Sequence, residues 1–120
     1  MRYMILINAN PDAFAGWGPE QYEAFGRRHL ALSGRLIDSG ELVAGEGLAE
    51  SRTAHTVSVR NGEVVTSDGP FAEAKEHLAG FLLVDVVSFD RAVEIAAEVP
   101  DAELGAVELR SVLDLRAWDL

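Results

Sequence analysis

Two short apolar runs, "MRYMILINA" at 1–9 and "GFLLVDV" at 80–86, set the tightest limit on what this chain can fold into. A strand with one wet face alternates apolar and polar residues. A near-continuous apolar run needs cover on both faces. Both runs therefore belong in the middle of a sheet, with other strands outside them and helices against at least one face.

The segments between them supply those elements. "NPDAFAGWG" carries Pro11, Gly16 and Gly18 and reads as loop. Pro19 suits the first position of a helix, where its missing N–H costs nothing. From there Tyr22, Phe25, His29, Leu32 and Leu36 recur at steps of 3, 4, 3 and 4, one face of an α-helix. Gly40 is placed to end that helix in a left-handed cap. "ELVAGEGL" (41–48), with Gly45 and Gly47, reads as a strand with a bulge or a close backbone approach. "AHTVSVR" and "EVVTS" flank Asn61-Gly62, whose residues both accept the positive φ of a type I′ hairpin turn. Asp68-Gly69-Pro70 then ends the pairing, because Pro70 has no donor for a ladder. Ser88 is a good N-cap for a second helix whose inner face is Phe89, Ala92, Ala96 and Val99, stopped by Pro100. Val107, Leu109 and Leu113 mark a final strand.

The order β-α-β-β-β-β-α-β, with the hairpin at Asn61-Gly62 set aside, reduces to β-α-β-β-α-β. That is the ferredoxin-like split βαβ arrangement of an α+β protein with an inserted β-hairpin. At 120 residues the chain is expected to be one domain, 1–120. Two helices shield one sheet face only, so a second copy is expected to cover the other in a homodimer.

Twenty acidic against ten basic side chains give a formal net charge of −10, which argues against nucleic-acid binding and against docking on anionic membrane. Cysteine is absent, so disulfides and thiolate metal sites are excluded. The three histidines include no helical His-x-x-x-His pair, and neither a metal nor another cofactor is expected. No secretory leader or run of about 20 apolar residues is evident, so a cytoplasmic location is expected.

His29 is the residue that most invites a functional reading. It lies on the apolar stripe of the first helix, where leucine would pack better. One reading is a core histidine bonded to a backbone carbonyl; the other is an imidazole lining a pocket for acid/base work. A partner carboxylate would decide. Asp38 is nine residues on, about 13 Å by helical rise and on the opposite side. Asp12 follows the first strand, and Asp68 lies in the loop before the second buried run. That loop, "SDGPFAEAKEH", also crowds Glu73, Lys75 and Glu76 together. They form either a solvated charge cluster or a set that meets a substrate carboxylate through Lys75. Asp before Gly-Pro is also a turn former in its own right. His55 and His77 read as structural and exposed, respectively.

"SDGPFAEAKEHLAGFLLVDV" resembles the Asp-Gly-Pro-Phe motif of the YCII-related proteins, with "MRYMILI", "GELVAGEGL" and "VELRSVL" extending the likeness along nearly the whole chain. Ser111 stands where that family commonly has proline. The resemblance implies a ferredoxin-like domain pairing as a dimeric α/β barrel, and a pocket with a histidine and an aspartate as an acid/base pair. Carried over, these fall on His29 and Asp68, with Phe71, Glu73, Lys75 and Glu76 completing a substrate-binding loop. Some such proteins act in catabolism of aromatic compounds, and others are encoded with extracytoplasmic-function sigma factors. Two functions follow as expectations. One is a cofactor-independent lyase- or isomerase-type enzyme for a small organic acid or cyclic ketone. The other is a non-catalytic ligand-sensing or interaction module in transcriptional regulation.

Overall fold

The structure, a computed structural model, describes residues 1–70 and 76–118. Its elements follow the expected order: β1 (Arg2–Ala9), α1 (Pro19–Asp38), β2 (Leu42–Gly47), β3 (His55–Arg60), β4 (Glu63–Asp68), β5 (His77–Asp85), α2 (Phe89–Glu98) and β6 (Val107–Ser111). The main sheet is antiparallel with order β2-β5-β1-β6, so the two apolar runs are its central strands. This mixed α+β architecture is consistent with the ferredoxin-like arrangement.

Local chemistry accounts for the boundaries. Gln21 Oε1 accepts from Gly18 N–H at 2.7 Å at the start of α1, and Gly40 closes it at φ +77°. Ser88 Oγ accepts from Arg91 N–H at 3.1 Å to cap α2. The turn between β3 and β4 has Asn61 and Gly62 at φ 51° and 79°, the pair of positive angles a type I′ hairpin requires.

Alternation along the central strands sends Tyr3, Ile5, Ile7, Leu82 and Val84 toward the helices, where they meet Leu32, Leu36, Ala92, Ile95 and Val99 in one buried core. Ile95 is fully buried and takes the inner position expected of Phe89, which is 54% exposed. Phe89, in the first turn of α2, lies against Tyr3 with ring centroids 5.9 Å apart and leaves its outer side in solvent. On the opposite face, the cross-strand pairs Met4–Leu83 and Leu6–Phe81 remain half-buried.

The β3–β4 pair forms a separate two-stranded sheet rather than joining the main one. Val57, Val59 and Val64 are each more than 60% exposed on it. The radius of gyration, 16.8 Å, exceeds the roughly 14 Å of a close-packed chain of this length, as a projecting hairpin would make it. Among the described residues no helix is long and apolar enough to cross a membrane.

Candidate active site

The core under α1 is incomplete. Its two fully buried side chains, Leu32 and Leu36, lie in the C-terminal half, while Phe25 and His29 are only half-buried. The sheet opposite offers little to fill the space, because Gly45, Gly47 and Gly80 stand there without side chains. One of these glycines, Gly80, is sterically required, and Gly45 is tightly packed. A Cβ on Gly80 would sit 2.7 Å from the Glu46 carbonyl oxygen, and one on Gly45 would sit 2.8 Å from Leu82 Cδ2. Close approach of β2 to β5 thus removes the side chains that would otherwise plug the gap. A cavity of about 560 Å³ results, walled by Phe14, Phe25 and Leu42, with His29, Asp101, Ser33 and Glu46 as its polar groups. That volume lies within the range of small-molecule sites.

His29 Nε2 lies 2.6 Å from Asp101 Oδ1. The aspartate side chain is 7% exposed and the histidine 30%. Asp101 is the one buried charged side chain among the described residues. Its position follows from the chain just before it. α2 ends at Glu98, Val99 and Pro100 are buried, and Pro100 opens a 3-10 turn, Pro100–Glu103, that lies against α1. The residue just before His29 on α1 holds the far end of the same turn: Arg28 makes two hydrogen bonds to Glu103, at 3.0 and 2.5 Å. The bonded guanidinium holds the Glu103 carboxyl below its ordinary pKa. Two successive helix residues therefore clamp the turn that carries the buried acid.

A carboxylate only accepts, so this contact calls for the proton on Nε2; in a neutral imidazole Nδ1 is then the basic nitrogen. The acid fixes the tautomer and would stabilise the imidazolium once a proton is taken up. This is the base-plus-orienter geometry of general acid/base catalysis. Phe25 stands edge-on to the imidazole, ring centroids 4.9 Å apart, and limits its rotation.

The expected partner for His29 was Asp68, with Asp12 and Asp38 as alternatives; the structure gives Asp101 instead. Asp68 closes β4 on the projecting hairpin with its side chain 98% exposed, and its neighbour is His55 Nδ1 at 3.2 Å. The hairpin pairing His55–Asp68 directs the carboxylate there, away from α1. Asp12 lies exposed in a 3-10 turn, Pro11–Phe14, and Asp38 lies exposed at the end of α1. Phe71, Glu73 and Lys75 fall outside the described residues. Glu76 is described. It lines a small cavity of about 10 Å³ with Asn8, Asn10 and Asp101, at the lower limit of what one water needs. His77, expected to be exposed, is half-buried at the start of β5.

Asp101 is hidden from a sequence reading in which Pro100 serves only as a helix stop. A signal was present: Val99 ends the inner stripe of α2, so the residues that follow at once stay on the core side. That reading also misses Phe14, which the Pro11–Phe14 turn turns inward. That turn is capped by Asn10 Oδ1 accepting from Asp12 N–H at 3.0 Å. Among the described residues no group of three or more His, Asp or Glu could hold a metal ion.

The model of the YCII-related domain matches residues 1–116. The chain belongs to the YCII-related family. An uncharacterized protein of Rhizobium meliloti is 32% identical over 112 residues, covering 92% of this chain and 90% of that one. Among solved structures, the 5-chloro-2-hydroxyhydroquinone dehydrochlorinase of Burkholderia phenoliruptrix, in complex with 2,5-dihydroxybenzoquinone, is similar with a TM-score of 0.51. The likeness covers 98% of each chain at 12% identity and thus concerns the fold. This YCII-related chain carries its histidine–aspartate pair in the lining of an apolar, aromatic-walled cavity.

Proposed function

We propose that this YCII-related protein is a small-molecule-converting enzyme that needs no cofactor and uses His29 as its general base and acid. The observation that carries the reading is the 2.6 Å His29–Asp101 pair, with the acid buried and the imidazole facing a cavity of about 560 Å³. The aromatic walls favour a flat ring. Nδ1 would take a proton from a ring hydroxyl, or from carbon beside a ring carbonyl. It would then return the proton elsewhere on the molecule, an isomerase step, or lose it to solvent as a leaving group departs, a lyase or dehalogenation step. Asp101 would hold the ring and balance the transient charge. The similar fold of a dehydrochlorinase with a bound dihydroxybenzoquinone agrees with a hydroxylated or quinoid ring as ligand.

Asp68-Gly69-Pro70-Phe71 supports placing the chain in the Asp-Gly-Pro-Phe subgroup. The half-buried Met4, Leu6, Phe81 and Leu83 support a homodimer in which a second copy covers that sheet face as in a dimeric α/β barrel. A 13.0 kDa species by sedimentation at micromolar concentration would exclude that dimer.

The deciding experiment titrates wild type and His29→Ala with 2,5-dihydroxybenzoquinone and follows chloride release from 5-chloro-2-hydroxyhydroquinone, the compounds of the similar structure. Saturable binding that weakens in the variant, with turnover only in wild type, is expected. Binding without turnover of this or any related ring would favour the ligand-sensing reading. No binding would remove the ring class altogether.

A further inference from the structure

The cavity at His29 has a neighbour. A second cavity, of about 480 Å³, lies between the Pro11–Phe14 turn, the start of α1 and the first residues of β5. Leu48 and Leu78 form its apolar part, and Tyr22, Glu50 and His77 its polar part. The two cavities share three lining residues, Ala9, Phe14 and Ala79. Two of these end at a methyl group, so the phenyl ring of Phe14 is the bulk of the partition.

That ring is fixed rather than loose. Trp17 and Phe25 meet it edge-on, with centroids at 4.8 and 5.6 Å, and Tyr22 stacks at 6.0 Å with planes 11° apart. Such pairs each add attraction beyond simple burial. The sheet side of the partition is thinned by an irregularity in strand pairing. Register shifts between Ile7 and Asn8, so Ile7 faces Gly80 while Asn8 faces Leu78, leaving Ala79 as the extra residue. Its carbonyl accepts from Leu48 N–H at 2.7 Å. Bulges of this kind re-aim side chains beside sites.

We infer that Phe14 is the specificity-determining wall of the site: it confines the ligand that reaches His29 to a single ring, and the cavity behind it is the space a second ring would need. This rests on the ring-binding reading above. Each cavity alone is of single-ligand size, and the two joined would reach the upper end of that class. Phe25 links wall to base, edge-on to both Phe14 and His29, so a ring seated against Phe14 lies beside the imidazole. Phe14 positions and selects; it transfers no proton.

The test compares catechol with phenylcatechol, which adds one aryl group to the same head, on wild type, Phe14→Ala and Phe14→Leu. Affinity is read by calorimetry, folding by circular dichroism, and location by the methyl resonances of Ala9 and Ala79. The expected result is that Phe14→Ala gains roughly tenfold or more for phenylcatechol and weakens catechol, which loses the ring it is seated against, with both alanine methyls shifting. Phe14→Leu keeps an apolar filling and should gain in the same direction by less; it decides the matter if the alanine variant does not fold. Equal affinity of phenylcatechol for wild type and variants, or an equal gain for both compounds, overturns the inference. Catechol failing to bind wild type overturns the ring reading instead. A gain for phenylcatechol in the variants would then still uphold the wall, and no gain would overturn it.

Discussion

His29 with Asp101 and His55 with Asp68 are the same chemical couple in two settings. The first joins a helix to a turn 72 residues away, at 2.6 Å, with side chains 30% and 7% exposed. The second spans one hairpin, at 3.2 Å, with side chains 72% and 98% exposed. Water competes for every hydrogen bond of the hairpin pair and screens its charges, whereas the Asp101 carboxylate has few alternatives to the imidazole. A histidine and an aspartate within reach are thus not yet a site. Burial of the acid, a cavity lined by both residues and a second ion pair holding the turn make the difference.

The largest test of this contrast is functional. His29→Ala and Asp101→Asn should each lower turnover of an accepted ring substrate by roughly 100-fold or more, while His55→Ala and Asp68→Asn leave it within about twofold. Steady-state rates on the four variants decide this, and a loss in the hairpin variants would move the site to the other pair.

The scaffold beneath the first pair comes next. Leu32→Ala, one turn after His29 and 1% exposed, should cost roughly 2–5 kcal/mol in urea unfolding. Val59→Ala on the hairpin, at 67% exposure, should cost less than about 0.5 kcal/mol.

Glu41 shows what partial burial with a fixed cation does to an acid. Arg91 donates to both its oxygens at 2.9 Å and Ser39 donates at 2.8 Å, drawing its pKa down from 4.5 to about 2. Because the folded value is depressed, this contribution is complete above pH 4.5 and is lost as pH falls toward 2. Glu41→Gln should cost roughly 1–2 kcal/mol at neutral pH, discounted for the partly exposed Arg91, and flatten the unfolding free energy across that window. An unchanged acid limb would show that the Arg91 contact does not persist in solution.

The smallest effects are the pair energies. A double-mutant cycle on His29 and Asp101 should give a coupling of roughly 1–2 kcal/mol, and one on His55 and Asp68 less than about 0.5 kcal/mol. Equal couplings would erase the distinction between the pairs.

What the sequence by itself determined were the features set by near neighbours. The two apolar runs required central strands, the Tyr22–Leu36 stripe required a helix on the sheet, though Tyr22 at its start is 52% exposed, and Asn61-Gly62 required a hairpin turn. Even His29 was legible, because an imidazole on an apolar stripe needs a polar partner. The identity of that partner was not. Within "VPDAE" the pattern says only that the residues after Val99 stay on the core side; it does not match Asp101, among the twenty acids of the chain, to His29. Asp101 became the partner only when α2 and α1 packed on the same sheet face, which brought the turn after Pro100 against the helix. Asp68 had the stronger local signal, yet its own strand pairing carried it out onto the hairpin. The cavity likewise depended on tertiary structure, since glycines on two strands and rings from a turn and a helix had to meet around the imidazole. Contacts between residues many positions apart are fixed by packing, and short-range pattern carries no record of them.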